Sequence, residues 1–360
     1  MTSALRVLVA MSGGVDSSVA AARLVDEGHD VTGVTLKLWG GPSDSGCCSV
    51  ADVEDARRVA AQIGIPHYVF NLTDSFEEHV VRPYVDAYAH ARTPNPCVEC
   101  NRSIKFGALF ERMTALGFDS LATGHHARVV HDDANRVRLA RGRDRAKDQS
   151  YVLYMLQQRQ LERTLLPVGE LTKSEVRSEA ERRGLRTAAK AESMDVCFIT
   201  RGGRAQFLAE RAEPRPGVIV GADGVRLGAH DDAARFTIGQ RRGTGVAAGE
   251  RRYVVDIDAS SATVTLGRRE DLLREAVDLD DVVLDSDVQD AEVHAQTRAH
   301  GEPVAAHVTR ETRETRETRE GARRATVTFA TPQPRVAPGQ VVALYEGDLL
   351  LGGGVVTDRS

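Results

Sequence analysis

Hydrophobic positions along roughly the first 130 residues switch between two periods, which assigns the elements. Leu5–Met11 is an unbroken apolar run, as expected for a strand buried on both faces. Asp16–Glu27 places Val19, Ala22, Leu24 and Val25 at helical spacing and then meets Gly28, a C-cap signal. The alternation continues. Val31–Trp39 reads as a strand, Asp52–Ile63 as a helix closed by Gly64, and His67–Leu72 as a third strand. Asp74–Ala91 reads as a long helix, Ser103–Leu116 as a helix ended by Gly117, and Ser120–Thr123 as a short strand. Strands alternating with helices predict an α/β fold with an open parallel sheet, whose ligands sit beyond the carboxyl ends of the strands.

Ser150–Leu161 and Thr172–Arg183 carry further helical patterns, the second opening on Thr172-Lys-Ser-Glu175, a capping box. Near residue 214 the pattern changes. Pro214, Pro216 and Gly217 mark a boundary, and short strands follow. Tyr253–Ile257 and Thr263–Leu266 flank Asp258-Ala-Ser-Ser-Ala262, a hairpin signal. Val282–Leu284, Ala325–Ala330, Val341–Tyr345 and Leu349–Val356 predict a small C-terminal β-barrel. The expected division is an N-terminal α/β catalytic domain at 1–201, a small central β-rich domain at 202–275 and a β-barrel at 276–360. Thr-Arg-Glu occurs four times over Thr309–Glu320, which reads as a replication-slippage insertion in a surface loop.

Composition narrows the class. At 360 residues, 41% apolar and 28% charged, the chain suits two or three globular domains and not wholesale disorder. A net charge of -5 excludes a uniformly basic nucleic-acid coat but not a local basic patch. Five Lys against 42 Arg fits GC-rich codon usage. No apolar run reaches the ~18–20 residues of a membrane span, and the N-terminal run is too short for a signal-peptide core. A cytoplasmic, reducing setting without membrane contact is expected. Five cysteines in a chain this long do not make a disulfide-stapled secreted domain.

Ser12-Gly-Gly-Val-Asp-Ser-Ser18 joins the first strand to the first helix. Glycines let backbone N–H groups approach a phosphate, and the helix N-terminus adds unpaired donors and partial positive charge. The segment lacks the Gly-Lys-Ser/Thr ending of a Walker A loop. It resembles the PP-loop of ATP pyrophosphatases, which implies ATP cleavage to AMP and pyrophosphate with Mg²⁺ held in part by Asp16. Thr123-Gly-His-His126 follows the Ser120–Thr123 strand and puts Gly124 and His125 at the nucleotide rim. Thr93-Pro-Asn-Pro-Cys97-Val-Glu-Cys100-Asn101 is a proline-stiffened loop carrying Cys-x-x-Cys before a helix, where a thiol is more readily ionised. Cys-x-x-Cys alone also suits a redox pair or half a zinc site, but the only other pair, Cys47-Cys48, has no spacer. Six basic residues (Arg136, Arg138, Arg141, Arg143, Arg145, Lys147) against one acid, Asp144, form a candidate phosphate track, with a solvated hairpin as the plain alternative.

Taken together, these motifs resemble the tRNA-specific 2-thiouridylase family almost end to end. Further matching stretches are Ile104-Lys-Phe106, Lys147-Asp-Gln-Ser-Tyr151, Leu166-Pro-Val-Gly-Glu-Leu171, Cys197-Phe-Ile199, Thr237–Gly243, Tyr253-Val-Val255 and Pro338-Gly-Gln340. The resemblance implies a PP-loop catalytic domain that 2-thiolates the wobble uridine of tRNA. It casts Cys197 as the persulfide carrier and Cys100 as the catalytic nucleophile. It gives ATP contacts to Ala10, Met11, Ser12, Gly13, Gly14, Val15, Asp16, Ser17, Leu36 and Gly124. Asn95, Pro96 and Cys97 fall at the target base. His125, Lys147, Asp148, Gln149, Arg298 and Gln340 fall at tRNA contacts. A persulfide donor protein (a cysteine desulfurase or relay) and a monomeric state are also implied.

Two departures stand out. Cys97 occupies a position where some members carry Asp, so an acid/base role there does not transfer. Only Arg298 of Thr297-Arg298-Ala299-His300 matches an Arg-Tyr pair found in others. Three thiolates (Cys97, Cys100 and Cys197) are also a ligand set for a [4Fe–4S] cluster, a second chemistry for the same atoms. Two other classes compete: a PP-loop enzyme aminating a small molecule, and a non-enzymatic adenine-nucleotide sensor. Neither accounts for the three cysteines and the basic stretch together.

Overall fold

The computed structural model describes residues 4–39, 49–191, 196–199, 203–246, 250–311 and 324–357. By contacts the chain groups into two units: residues 1–81, 96–200 and 348–350, and residues 82–95, 201–347 and 351–360. Cys47, Cys48 and residues 312–320 of the repeat lie outside the described residues.

In the first unit the apolar runs become strands β1 (Arg6–Ala10), β2 (Asp30–Lys37), β3 (His67–Asn71) and β4 (Ser120–Thr123). With Thr164–Leu165 they form a five-stranded sheet in the order β3-β2-β1-β4 and 164–165, every pairing parallel. Helices α1 (Val15–Asp26) and α2 (Val50–Gln62) cover it. Val7, Val9, Val19, Ala20, Val31 and Val59 lie in one buried cluster. Burying a valine side chain contributes on the order of 1.5–3 kcal/mol relative to leaving it exposed. Because β1 has β2 on one side and β4 on the other, the strand order reverses at β1. The crevice of such a sheet opens at the carboxyl ends of β1 and β4.

The expected helix at Ser103–Leu116 begins earlier. Pro96–Glu99 is α-helical, Cys100–Ala108 is a π-helical stretch, and Leu109–Ala115 returns to α. Proline suits a first helical position because its missing N–H would go unpaired there anyway. Cys97 and Cys100 therefore sit on the helix and not on a loop before it. The expected helix at Ser150–Leu161 resolves into a 3₁₀ turn, Ser150–Leu153, and one α turn, Gln158–Leu161. Thr172 caps the helix Lys173–Arg182 through the predicted capping box with Glu175. A hairpin, Ala127–His131 with Val137–Arg141, follows β4.

The second unit holds two β structures. Strands Gly217–Gly221, Arg226–His230, Tyr253–Asp258 and Thr263–Gly267 make a four-stranded sheet around Ile219, Phe236, Val254, Val264 and Leu266. The other is a closed six-stranded barrel. Its strands run in the order 273–284, 324–334, 304–311, 290–296, 341–346 and 349–356, and Leu279 pairs with Val356 to close the circle. Val277, Leu279, Val308, Val327 and Leu344 fill it. Among the described residues no helix is long and apolar enough to cross a membrane.

Candidate active site

The loop from β1 to α1 occupies the crevice. Gly13 adopts φ +71, and a Cβ there would run into the backbone of Asp52. Gly124, just after β4, lies so close to α1 that a Cβ would come within 2.6 Å of the Ser17 backbone nitrogen. Both positions need glycine for close contact, and Gly13 needs it for its positive φ as well. Ser17 and Ser18 hydroxyls donate to the Gly14 carbonyl, and Ser17 Oγ accepts from the Ser12 N–H. The loop is thereby shaped around the open end of a 12-residue helix, an anion-binding arrangement. Met11 and Leu36, also expected at the nucleotide, are buried at the ends of β1 and β2.

Asp16 departs from expectation. Lys173 Nζ lies 2.8 and 2.7 Å from its two carboxylate oxygens, and His126 Nε2 lies 3.1 Å from Oδ1. Burial works to raise the Asp16 pKa, but the hydrogen bonds from His126 and Lys173 outweigh it and hold the carboxyl below its ordinary range. A carboxylate with an ammonium on both oxygens does not offer itself to a divalent cation. Asp16 as arranged does not fit the Mg²⁺ ligand role expected of it. Lys173 was not among the residues expected at the site, although a lysine in the first turn of a helix opposes the helix dipole and so marks a position held for another reason.

Lys190 fixes the same loop from the other side. Its Nζ donates to the Gly13 carbonyl at 3.0 Å and reaches Asp52 at 2.6 Å and Asp55 at 2.7 Å. Burial alone would lower the Lys190 pKa, and the two carboxylates reverse that and raise it.

His125 is buried, not presented to a ligand. Its Nδ1 meets Thr123 Oγ1 at 2.7 Å and its Nε2 faces Lys105 Nζ at 3.5 Å. Burial and the Lys105 ammonium push its pKa well below the ordinary histidine value. In this arrangement the His125 ring faces Thr123 and Lys105. Asp148 is likewise buried, accepting from Arg141 and from the Gly142 and Ser150 backbone, so it shapes the 147–149 turn from inside. Gln149 is the exposed member of that turn.

The basic stretch is largely paired. Arg136 and Arg138 share Asp132, Arg141 holds Asp148, Arg143 meets Glu175, and Arg145 meets Asp348. Arg138 and Arg141 are buried, so a count of six bare charges overstates the track. Arg143 and Arg145 remain about half exposed, with side-chain exposures of 54% and 53%.

The three cysteines are each half-buried. Phe198 is buried against Phe76, edge-on at 5.6 Å, and near Trp39 at 6.3 Å, which anchors Cys197 beyond the ends of β2 and β3. Asn101, next to Cys100, is buried and donates to the Val152 carbonyl. Among the described residues no three His, Cys, Asp or Glu side chains converge as a metal-binding group. In the second unit, Gln340 donates to the Thr93 carbonyl at 2.5 Å, steadying the strand of chain that leads to Asn95, and Arg298 is exposed.

Residues 5–201 match a family model described as the tRNA methyl transferase HUP domain. Residues 205–268 match its PRC-barrel domain, and residues 280–356 match an aminomethyltransferase beta-barrel domain. The chain is 48% identical to the tRNA-specific 2-thiouridylase MnmA of Sorangium cellulosum, over 98% of this chain and 92% of that one. It is 46% identical to that of Chloroflexus aggregans, over 97% of both. It is 48% identical to that of Mycobacteroides abscessus, over 98% of this chain and 99% of that one.

Proposed function

This chain belongs to the tRNA-specific 2-thiouridylase family, and from that premise we propose that it replaces the C2 oxygen of the wobble uridine of tRNA with sulfur at the expense of ATP. The observation that carries the reading is the phosphate cradle of Ser12–Ser18 closed by Gly124 at the ends of β1 and β4, on a unit that also bears Cys100 and Cys197. A methyl transfer, the reaction in the family model's description, needs no pyrophosphate cradle.

The chemistry runs in two halves. First, the uracil C2 oxygen attacks the α-phosphorus of ATP, pyrophosphate leaves, and the base carries AMP on oxygen. Extruding the base from its stack is the general route to such an atom. The helix N-terminus and the Lys173 ammonium favour the charge that develops on the departing pyrophosphate. Second, Cys197 brings sulfur as a persulfide loaded by a donor protein. Cys100 thiolate attacks Cys197 Sγ, and the terminal sulfur reaches C2 and expels AMP. A Cys100–Cys197 disulfide remains, and two electrons from an external dithiol restore both thiols. Gln149, Lys147, Arg143, Arg145 and Arg298 are the groups offered to the tRNA, and Asn95, Pro96 and Cys97 border the target base.

Mass spectrometry of unmodified tRNA incubated with ATP and a persulfide donor tests the proposal. The wild-type chain is expected to yield 2-thiouridine, and Cys100→Ser and Cys197→Ser proteins to lose it by more than about a hundredfold, as expected on removing a covalent catalyst. Thiolation at the wild-type rate in both variants overturns the scheme. Pyrophosphate release with ammonia and no tRNA favours amination instead, and none under any condition favours a nucleotide sensor.

A further inference from the structure

His126 is buried at 3% exposure and stands between the phosphate cradle and the 147–149 turn. Its backbone is doubly tied to that turn: the His126 N–H donates to Gln149 Oε1 at 2.9 Å, and the Gln149 N–H donates to the His126 carbonyl at 2.9 Å. Its ring points the other way, with Nε2 on the Asp16 carboxylate of the cradle. Nδ1 is buried with no partner among the described residues. A carboxylate accepts only, so Nε2 carries the proton of this bond. Asp16 in turn holds Lys173. An exposed residue of the candidate tRNA turn is thus joined through one rigid, enclosed side chain to the carboxylate that restrains the lysine beside the phosphate cradle.

We propose that His126 is a positioning residue that couples tRNA engagement at Gln149 to the state of the Asp16–Lys173 pair, so that tRNA and ATP binding strengthen each other. The inference rests on the thiolation reading. When tRNA draws on Gln149, the His126 backbone moves with it, and the donor set on Asp16 changes. Lys173 is then freed from Asp16 to meet the phosphates. Without tRNA, Asp16 keeps Lys173 withdrawn from the phosphates. Linkage between two sites is reciprocal in binding, so ATP must tighten tRNA by the same factor by which tRNA tightens ATP.

Two measurements on the full-length chain test this. The first is the ratio of pyrophosphate release from ATP with and without unmodified tRNA. The second is the tRNA dissociation constant with and without an ATP analogue that cannot be cleaved between the α- and β-phosphates. In His126→Leu the stimulation ratio is expected to fall about tenfold, within the usual range for coupled sites, and the analogue's effect on tRNA binding to disappear. His126→Gln, whose amide can still donate to Asp16, is expected to retain most of both. If His126→Leu does not fold, His126→Asn serves, since its shorter amide does not span to Asp16. A His126→Leu or His126→Asn protein with the wild-type ratio overturns the proposal. So does a His126→Gln protein as uncoupled as the leucine variant, because the bond to Asp16 is then irrelevant. A wild-type chain that releases no pyrophosphate in response to tRNA sinks the thiolation reading itself, a distinct result.

Discussion

Gly13 shows how narrowly a single position can be determined. Its φ of +71 and its contact with the Asp52 backbone both exclude a side chain. Gly13→Ala is expected to weaken ATP binding by more than tenfold, from about 1–3 kcal/mol of backbone strain plus the clash. Its tRNA affinity should stay near wild type, and equilibrium titration of each ligand checks the split. The need for glycine there was legible from the Ser12–Ser18 motif. The roles of Asp16, His126 and Lys173 were not. Asp16 and Lys173 are 157 positions apart and meet only because α1 and the helix Lys173–Arg182 are brought to the same crevice. The enclosure of His125 was hidden for a related reason. Its place after β4 was right, but burial behind Thr123 and Lys105 depends on the tertiary fold and leaves no local trace.

At the level of elements, the hairpin Ala127–His131 with Val137–Arg141 and the turn after it divide their charges between two tasks. Arg141 and Asp148 are both buried and bonded at 3.0 Å. Arg141→Met should therefore destabilise the first unit by about 3–5 kcal/mol, because Asp148 is left as an uncompensated buried charge. Denaturant unfolding of the variant measures this, and a loss below about 1 kcal/mol would contradict the pairing. Arg143 and Arg145 are the outward members. Changing each to Ala should leave the unfolding midpoint nearly unaltered. It should weaken tRNA binding across all sequences and flatten the dependence of log Kd on log salt by about one for each phosphate no longer neutralised. The basic run itself was plain in the sequence. Its neutralisation was not, since Asp348 and Glu175 come from distant segments. Periodicity placed β1 to β4 and the capped helix Lys173–Arg182 well. It missed the start at Pro96, where a proline-rich stretch reads as loop although proline is well suited to a first helical turn.

In the molecule as a whole, the alternation of the N-terminal half and the short strands of the C-terminal half foretold an α/β sheet followed by a barrel. They could not show that residues 82–95 group with the later segments, because no local signal marks which unit a helix joins. The barrel also carries a pH signature. His307 sits between Asp290 at 2.6 Å and Glu292 at 3.1 Å, and its hydrogen bond to Asp290, then that to Glu292, raises its pKa above the ordinary 6.5. A raised pKa means that the charged form stabilises the fold. That contribution is complete below pH 6.5 and fades as pH climbs through the raised value. Thermal melting of His307→Ala against wild type should show a difference that shrinks toward alkaline pH, and a constant difference would refute the assignment. The barrel has one more property of practical weight. Strands 304–311 and 324–334 are antiparallel neighbours paired at Glu311 and Arg324, so the barrel itself holds these two strand ends side by side. Because that pairing closes at Glu311 and Arg324, a label or a second protein attached between these strand ends is expected to leave the barrel's melting temperature unchanged.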